Sequence, residues 1–399
     1  MSEAFAPVDI IIAKRDNREL SNEQIDWVVD AYTRGAVADE QMSALAMAIL
    51  LNGMNKREIV RWTEAMIASG SRMDFSDFEA PSVDKHSTGG VGDKVTLPLV
   101  PIVAACGAVV PQLSGRGLGY FGGTLDKMES IPGWRALLSN EEMADVMRAS
   151  GGVICAAGDG LAPADKKLYS LRDVTGTVEA IPLIASSIMS KKIAEGADGL
   201  VLDVKTGNGA FMSDLARAQK LARTMVEIGN DAGVRTRALI TAMDVPLGLA
   251  VGNAIEVTES LEVLAGGGPA DLIELVIALA NEMLDIAGID ADPREAITSG
   301  RAMDHWRRMV TAQGGDPNAP LPEARHQHVI TAPVAGPLST LEAYGVGVAA
   351  WRLGAGRAQK DDEIIHGAGV QLHAKPGDVL SQGQPIMTLL ADDEARLPA

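Results

Sequence analysis

SGRGLGYFGGTLDK, residues 114–127, and DKHSTGGVGDK, residues 84–94, are the two stretches around which the rest of this chain can be read. Both combine glycines with hydroxyl and cationic side chains, and an apolar segment separates them. Glycine allows the backbone to take positive φ and to come close to a ligand. Successive backbone N–H groups then form a concavity that suits an anion. The two stretches therefore predict an oxyanion site, with phosphate as the expected ligand.

The composition is typical of a globular protein of two or three domains. Of the 399 residues, 47% are hydrophobic and 22% are charged, and this length is enough to bury a large core. The net charge of −18 would repel a nucleic acid, whereas a local basic cluster in an acidic chain indicates a small anionic ligand. The two cysteines, Cys106 and Cys155, form no disulfide framework. With neither a signal-peptide pattern nor a membrane-spanning apolar stretch, we expect a cytoplasmic protein.

The N-terminal part, residues 21–70, predicts a helical region. Two capping boxes open helices there: Ser21 with Gln24, and Asn55 with Glu58. Between them, a helix rich in alanine and methionine begins at Asp39 and contains Met42 and Leu45. Apolar residues nearly surround this helix, so we expect it to be buried, either in a core or between subunits.

The central part alternates short apolar runs with helical stretches, which is typical of an α/β architecture. The predicted strands are 109–113, 199–205 and 237–242. The predicted helices are 97–106, 140–150, 213–232, 253–265 and 270–287.

Residues 162–196 predict a second helical stretch. Ser187 and Lys191 are four residues apart and therefore share one face of a helix. With Arg172 upstream, this hydroxyl and this cation could bind a planar heterocycle that carries carbonyl groups. Solvated charge, with Asp173 as a helix cap, is the alternative interpretation.

The C-terminal part, from residue 326 onward, changes to short strands and turns after a Gly- and Pro-rich linker at 315–322. Residues 373–389 resemble a barrel-sandwich module of the biotinyl or lipoyl type. The Met-Lys-Met tripeptide that carries the modified lysine in such modules does not occur here. We therefore expect a structural module without a swinging arm.

Several common catalytic motifs do not fit. Residues 117–122 match G-x-G-x-x-G, but the proline and glycine at 132–133 follow too soon for the crossover helix that a dinucleotide site requires. The chain has no Walker A loop, no zincin spacing of histidines and no G-x-S-x-G nucleophile elbow. His86 is the one histidine inside a glycine-rich stretch, between Lys85 and Ser87. This position favours a catalytic role, because histidine titrates near neutral pH.

The motifs of this chain resemble those of a known family, the thymidine and pyrimidine-nucleoside phosphorylases. The strings SGRGL at 114–118 and GGTLDKME at 122–129 nearly reproduce the family signature. The similarity continues through LYSLRD, SSIMSKK, LDVKTG and LGAGR, at 168–173, 186–192, 202–207 and 353–357. It thus covers nearly the whole chain.

The resemblance implies an α/β fold with a small discontinuous all-α domain, a large α/β domain and a β-rich C-terminal part. The implied boundaries are 1–70 plus 162–196, 80–161 plus 197–325, and 326–399. Relatives are homodimers through the α domain, which would place Met42 and Leu45 near the subunit interface. The family binds phosphate in the α/β domain and the base largely in the α domain, and catalysis then requires closure of the cleft between them.

The resemblance also implies roles for individual residues. Phosphate would be bound by Lys85, Ser87, Thr96, Ser114 and Thr124, with Lys94 as a further candidate. The pyrimidine would be bound by His86, Tyr169, Arg172, Ser187, Lys191 and Phe211, with His86 facing O2. A structural monovalent cation of some relatives would correspond to Gly92, Leu247, Ala250 and Glu259.

The implied reaction is phosphorolysis, with thymidine as the expected substrate. Phosphate attacks C1′ with inversion, the sugar gains oxocarbenium character and the base leaves as an anion. Arg172 and Lys191 would stabilise that anion while His86 protonates or hydrogen-bonds O2. The chemistry needs no covalent nucleophile, no catalytic metal and no cofactor.

One dipeptide departs from the family pattern. Relatives usually carry His-Thr where this chain has Tyr120 and Phe121. Local repacking with activity kept is one interpretation, and an altered sugar or base preference is the other.

Two alternative functions are also compatible with the sequence. An anthranilate phosphoribosyltransferase-like enzyme would share the fold and the glycine-rich loops, but it would need Mg²⁺ and a diphosphate site. A non-catalytic nucleoside-binding homologue, inactivated at Tyr120 and Phe121, would bind thymine without turnover.

Overall fold

The structure is a computed structural model, and it describes residues 3–117, 119–120, 122–158, 160–359 and 362–397. Within these residues no helix has both the length and the apolar character needed to cross a membrane.

Helices and short strands alternate along most of the chain. The helices are α1 Pro7–Arg15, α2 Asn22–Thr33, α3 Asp39–Asn52, α4 Lys56–Ala68, α5 Thr96–Ala105, α6 Thr124–Met128, α7 Asn140–Ser150, α8 Pro163–Thr175, α9 Ile181–Glu195, α10 Leu215–Asp231, α11 Ala254–Leu264, α12 Ala270–Ala287, α13 Pro293–Thr298, α14 Arg301–Ala312 and α15 Ala343–Ala350. The strands are β1 Val83–Ser87, β2 Val110–Ser114, β3 Gly152–Ala156, β4 Gly199–Thr206, β5 Arg235–Ala242, β6 Ala250–Gly252, β7 His326–Thr331, β8 Gly336–Pro337, β9 Gly369–Leu372, β10 Val379–Leu380 and β11 Pro385–Ala391.

The chain divides into two compact units, each made of three segments. The helical unit comprises Met1–Asp77, Gly158–Leu200 and Gln219–Thr236. The α/β unit comprises Phe78–Ala157, Val201–Ala218 and Arg237–Ala399.

The helical unit packs α1–α4 together with α8 and α9 around one apolar core. The predicted capping boxes at Ser21 and Asn55 are confirmed, since each side chain accepts the backbone N–H three residues on. Met42 and Leu45 are each 1% exposed and belong to this core. Of the two alternatives expected for this helix, burial in a core is the one that holds for Met42 and Leu45, because the chain's own helices already cover them. The exposed apolar side chains of α3 are Met47 and Leu51.

A buried ion pair stabilises the helical unit. The Lys14 ammonium donates to both carboxylate oxygens of Glu58, over 2.9 and 3.0 Å. The same carboxylate accepts the backbone N–H groups of Leu20 and Asn55. Both charges are therefore paired and hydrogen-bonded, which is the condition under which a buried ion pair is tolerated.

The α/β unit contains small sheets whose strand ends carry the polar side chains. Strands β1, β4 and β5 form one sheet in the order β1-β4-β5, and β2 pairs in parallel with β3. A parallel bridge between Ser82 and Val109 joins the start of β1 to the start of β2. Helix α5 is fully buried and packs against α12 and α14.

The predicted third domain, residues 326–399, is grouped with the α/β unit because its sheet includes an earlier strand. The sheet order is β6-β9-β11-β7, with Val251 opposite Val370. Glycine makes this pairing possible: a Cβ on Gly369 would lie 2.5 Å from the Val251 carbonyl oxygen, and Gly369 has φ 158°. A larger residue at that position would push the two strands apart.

The strands and helices of the central part for which the sequence predicted bounds agree with the structure within two residues. Helices 140–150 and 270–287 have the predicted bounds, and α5, α10 and α11 differ by one or two residues at each end. Residues 84–87, predicted as part of a loop, instead belong to strand β1. Residues 162–196 form two helices, α8 and α9, which a turn separates.

Candidate active site

Strand β1 sets the orientation of the first group of predicted site residues. Side chains alternate between the two faces of a strand, so Lys85 and Ser87 share one face and His86 lies on the other. Lys85 is 1% exposed, and its ammonium lies 3.4 Å from the Thr96 hydroxyl. Burial lowers the pKa of this lysine. The structure thus brings together three of the five predicted phosphate residues.

Ser87 is held by two hydrogen bonds. Its hydroxyl donates to the Asp93 carboxylate over 2.5 Å and accepts the backbone N–H of Gly89 over 3.1 Å. Ser114 is the last residue of β2 as Ser87 is of β1. Counted from the parallel bridge of Ser82 and Val109, the two serines reach the same carboxyl edge, which is where α/β sheets present their ligand-binding groups.

Strand β4 adds two charged residues that the sequence analysis did not assign to the site. Lys205 and Asp203 are both 0% exposed, and the Lys205 ammonium donates to the Asp203 carboxylate over 2.8 Å. The same ammonium lies 4.0 Å from Asp93, and the Asp203 carboxylate lies 4.0 Å from Lys85. The signal in the sequence was present: two opposite charges, two residues apart, stand inside an otherwise apolar strand run.

These contacts keep the buried Asp93 carboxylate ionised. Burial alone would raise the pKa of Asp93, but Lys205 and Lys85 outweigh it, and the pKa lies well below its usual value. Burial likewise opposes the charge on Lys205, yet Asp203 and Asp93 raise its pKa. The two lysines, Lys85 and Lys205, thus balance the charges of the two carboxylates, Asp93 and Asp203.

Hydrogen bonds to Asp126 and Arg357 hold the second glycine-rich stretch in place. The Asp126 carboxylate accepts the backbone N–H of Gly117 over 2.6 Å and the guanidinium of Arg357 over 2.6 Å. The Arg357 carbonyl in turn accepts the N–H of Gly119 over 2.8 Å. A Cβ on Gly123 would lie 2.1 Å from the Gly117 nitrogen, so the turn before Thr124 requires glycine.

The departure from the family pattern lies at the surface where this stretch meets α15. The Tyr120 ring packs edge-on against Tyr344, with centroids 4.9 Å apart and planes at 81°. Phe121 lies outside the described residues. Tyr344 also fixes the neighbouring loop, because its N–H donates to Asn208 over 3.0 Å. That loop carries Phe211, which is 37% exposed.

The predicted cation ligands surround a lysine. The Lys94 ammonium donates to the carbonyl oxygens of Leu247 and Ala250, over 2.8 and 2.9 Å, and to the Glu259 carboxylate over 2.6 Å. Gly92 is also adjacent, since its Cβ would lie 2.6 Å from the Leu247 oxygen. Lys94, 0% exposed, therefore uses the acceptors that were predicted to bind a monovalent cation. Its charge is committed there, which argues against Lys94 as a phosphate ligand.

The helical unit carries the predicted base-binding residues on α8 and α9. Arg172 is 1% exposed. It donates to three backbone carbonyls, those of Thr177, Val178 and Leu183. An arginine has five N–H groups, so two are not used by these three hydrogen bonds. Burial lowers the pKa of Arg172 to about 10, and the side chain therefore stays charged at neutral pH.

Lys191 and Ser187 share one face of α9, as predicted. The Lys191 ammonium donates to the Ser187 hydroxyl over 3.2 Å and pairs with Asp165. Asp165 is 2% exposed, and its second carboxylate oxygen has no hydrogen-bond partner among the described residues. The sequence analysis missed it, although Asp165, Tyr169 and Arg172 lie four and three residues apart and thus share one face of α8. Tyr169 is 50% exposed.

The arrangement can support the chemistry of an anion and of a polar heterocycle, each in its own unit. The α/β unit groups Lys85, Ser87 and Thr96, and the helical unit groups Arg172, Ser187 and Lys191. Among the residues that the structure describes, no cluster of three or more His, Cys, Asp or Glu side chains could hold a metal ion.

Comparisons with known families match nearly the whole chain. Residues 8–70 match the helical bundle domain of a glycosyl transferase family, and residues 79–304 match its α/β domain. Residues 338–399 match the pyrimidine nucleoside phosphorylase C-terminal domain.

Individual relatives are similar over more than nine-tenths of their own length. A thymidine phosphorylase of Mycobacterium tuberculosis is 58% identical over 99% of this chain and 93% of its own. A pyrimidine-nucleoside phosphorylase of Bacillus subtilis is 48% identical over 97% of this chain and 92% of its own.

One solved structure shows a shared fold alone. Anthranilate phosphoribosyltransferase from Thermus thermophilus aligns with a TM-score of 0.62 over 76% of this chain and 99% of its own. The sequence identity is 19%, which is too low to carry function across.

Proposed function

Because this chain belongs to the pyrimidine-nucleoside phosphorylases of the glycosyl transferase family, we propose that it phosphorolyses pyrimidine nucleosides. Thymidine and phosphate would give thymine and 2-deoxy-α-D-ribose 1-phosphate. The observation that carries this proposal is the grouping of Lys85 and Ser87 of β1 with Thr96 at the start of α5 in a chain that is 58% identical to a thymidine phosphorylase.

The proposed mechanism begins with phosphate held by Lys85, Ser87, Thr96, Ser114 and Thr124. A phosphate oxygen attacks C1′ from the face opposite the base, and the C1′–N1 bond breaks as the new C1′–O bond forms. The phosphate dianion stabilises the positive charge that develops on the sugar, so no enzyme nucleophile is needed.

The leaving base needs help because it departs with the bonding electron pair. Arg172 has two N–H groups beyond those given to backbone carbonyls, which suits the carbonyl oxygens of a pyrimidine. Lys191 and Ser187 would contact N3 and its neighbouring carbonyl, and His86 would donate to O2. Each such donor, aimed at charge that develops in the transition state, typically contributes about 10²–10³ in rate.

The remaining expectations concern the oligomeric state, the cellular location and the cofactor requirement. We infer a cytoplasmic homodimer that uses inorganic phosphate as co-substrate and needs no metal or organic cofactor. Met47 and Leu51, the exposed apolar side chains of α3, are candidates for the subunit contact. Size-exclusion chromatography with light scattering would test this, and a monomeric mass at enzyme concentrations that support turnover would exclude it.

The decisive experiment is an assay of thymidine, deoxyuridine and uridine with and without phosphate, in the presence of a metal chelator. Loss of nucleoside absorbance that requires phosphate, with one pentose 1-phosphate formed for each base, is the expected result. Absence of turnover while thymine still binds would overturn the proposal in favour of a binding protein. A requirement for Mg²⁺ would overturn the metal-free mechanism.

A further inference from the structure

The Ser87 hydroxyl has one proton, and that proton is already used. A serine hydroxyl can donate one hydrogen bond and accept two. Ser87 donates to Asp93 Oδ2 over 2.5 Å and accepts the N–H of Gly89 over 3.1 Å. A phosphate dianion offers mainly acceptor oxygens, so Ser87 can contribute a hydrogen bond to it only after it releases Asp93.

Asp93 has an alternative partner in place. The Lys205 ammonium lies 4.0 Å from the same Oδ2 atom, and its hydrogen bonds go to Asp203 over 2.8 Å and Thr241 over 3.4 Å. An ammonium has three N–H donors, so Lys205 can also donate to Asp93 after a small movement. Its fixed position comes from Asp203, which is itself held by the Thr241 hydroxyl over 2.6 Å.

The exchange keeps every buried charge compensated. Asp93 is 7% exposed and ionised, because Lys205 and Lys85 hold its pKa low despite burial. Among the described residues Ser87 is the hydrogen-bond donor to Asp93, and a buried carboxylate that lost this bond would be costly. Transfer from the Ser87 hydroxyl to the Lys205 ammonium replaces a hydrogen bond with one charged partner by a hydrogen bond in which donor and acceptor are both charged.

We propose that Asp93 is a positioning residue for the phosphate co-substrate. When phosphate binds, the Asp93 carboxylate exchanges the hydrogen bond from Ser87 for one from Lys205, and the Ser87 hydroxyl proton becomes available to phosphate. This inference rests on the proposed phosphorolysis. It names Asp93 and Lys205 as residues that set phosphate affinity, in addition to the groups that touch the anion.

The consequence is that Asp93 weakens phosphate binding. Two effects act in the same direction. The Ser87–Asp93 hydrogen bond must be broken for phosphate to bind, and the carboxylate repels the incoming dianion. Asp93→Asn replaces a charge-assisted hydrogen bond by a neutral one and removes the repulsion. We therefore expect the phosphate KM to fall by on the order of tenfold, with the nucleoside KM unchanged.

A double-mutant cycle separates the exchange from simple charge repulsion. Phosphate KM from turnover and phosphate Kd from calorimetry would be measured for wild type, Asp93→Asn, Ser87→Ala and the double variant. If the exchange operates, Asp93→Asn improves phosphate binding much less in the Ser87→Ala background, because no hydroxyl remains to be released. An equal improvement in both backgrounds means that only charge is involved and overturns the exchange.

Asp304→Asn is the matched control, because it removes an exposed carboxylate of the same unit that pairs with Arg307 over 3.5 Å. It should leave the phosphate KM unchanged. Should Asp93→Asn fail to fold, the charge-balanced Asp93→Asn/Lys205→Gln variant tests the same point. In that background, adding Ser87→Ala should raise the phosphate KM more than it does in wild type, and an equal or smaller effect overturns the proposal.

The outcomes also separate this inference from the function on which it rests. Wild-type enzyme without phosphate-dependent turnover would refute the phosphorylase, whatever the calorimetry shows. Wild-type enzyme that turns over, with no coupling between Ser87 and Asp93, would refute only the exchange.

Discussion

The Lys94 ammonium donates a hydrogen bond to the Glu259 carboxylate over 2.6 Å, and both side chains are buried. The carbonyl oxygens of Leu247 and Ala250 complete its surroundings. A protein-borne cation therefore stands where the sequence analysis expected ligands for a free one. We expect wild-type activity and melting temperature to be the same in potassium and in tetramethylammonium salts of equal ionic strength. A clear loss of activity without potassium would contradict this.

Removing that ammonium should create a need for a cation. Lys94→Ala leaves the Glu259 carboxylate buried and unpaired, a change that typically costs about 3–5 kcal/mol of unfolding free energy. We expect potassium chloride to raise the melting temperature of this variant more than tetramethylammonium chloride does. The matched control is Lys375→Ala, which removes a partly exposed ammonium paired with Asp271 over 2.5 Å. If the melting temperature of Lys94→Ala is the same in the two salts, the site does not bind a free potassium ion in place of the lysine ammonium.

Tyr120 should matter for packing more than for substrate choice. Its ring contacts Tyr344 edge-on at 4.9 Å, and such aromatic pairs contribute about 0.5–1.5 kcal/mol beyond their buried area. Tyr120→Ala should therefore lower the free energy of unfolding by at least that amount. The ratios of kcat/KM among thymidine, deoxyuridine and uridine should stay the same in Tyr120→His/Phe121→Thr. A change in these ratios would instead assign the dipeptide to specificity.

Arg172 should be sensitive even to a change that keeps its charge. Lysine offers three N–H groups from one atom and cannot serve three separate carbonyls and a ligand in one plane. We expect Arg172→Lys to reduce kcat/KM for thymidine by about 10²–10³ with the phosphate KM unchanged. Arg148→Lys, at an arginine that stacks on Phe78, is the control. A wild-type value in Arg172→Lys would exclude a role in base binding.

Asp165 should act through Lys191. The carboxylate pairs with the ammonium on the side of α9 that also carries Ser187. Asp165→Asn removes the charge that fixes the ammonium, so we expect a higher nucleoside KM by up to about tenfold with the phosphate KM unchanged. Asp173→Asn, eight positions further along α8, should have little effect. A change in both KM values would indicate a general loss of structure.

The Lys14–Glu58 pair should contribute to stability and not to catalysis. Glu58→Met leaves the Lys14 ammonium buried without a partner, and we expect a loss of about 3–5 kcal/mol in urea unfolding. The double variant Lys14→Met/Glu58→Met removes both charges and should recover part of that loss. A double variant less stable than Glu58→Met would contradict the idea that the unpaired Lys14 ammonium causes the loss of stability. Phosphate KM should be the same in wild type and in both variants.

The sequence alone determined the elements whose signals are local. Capping boxes at Ser21 and Asn55 opened the helices where they were predicted, because the cap is formed by residues three apart in the chain. Helix spacing likewise placed Ser187 and Lys191 on one face. Family resemblance named the candidate site residues, and their roles stay predictions.

Tertiary structure decided every feature that depends on which distant residue supplies a charge. Met42 and Leu45 had two possible partners, and only the packing of α8 and α9 onto the N-terminal helices assigned them to a core. Lys94 is 165 positions from Glu259, and no local pattern could reveal that its ammonium fills a set of predicted cation ligands. The same holds for Asp93 and Lys205. The charge state of a buried side chain depends on its neighbours in space, and the order of residues does not give these neighbours.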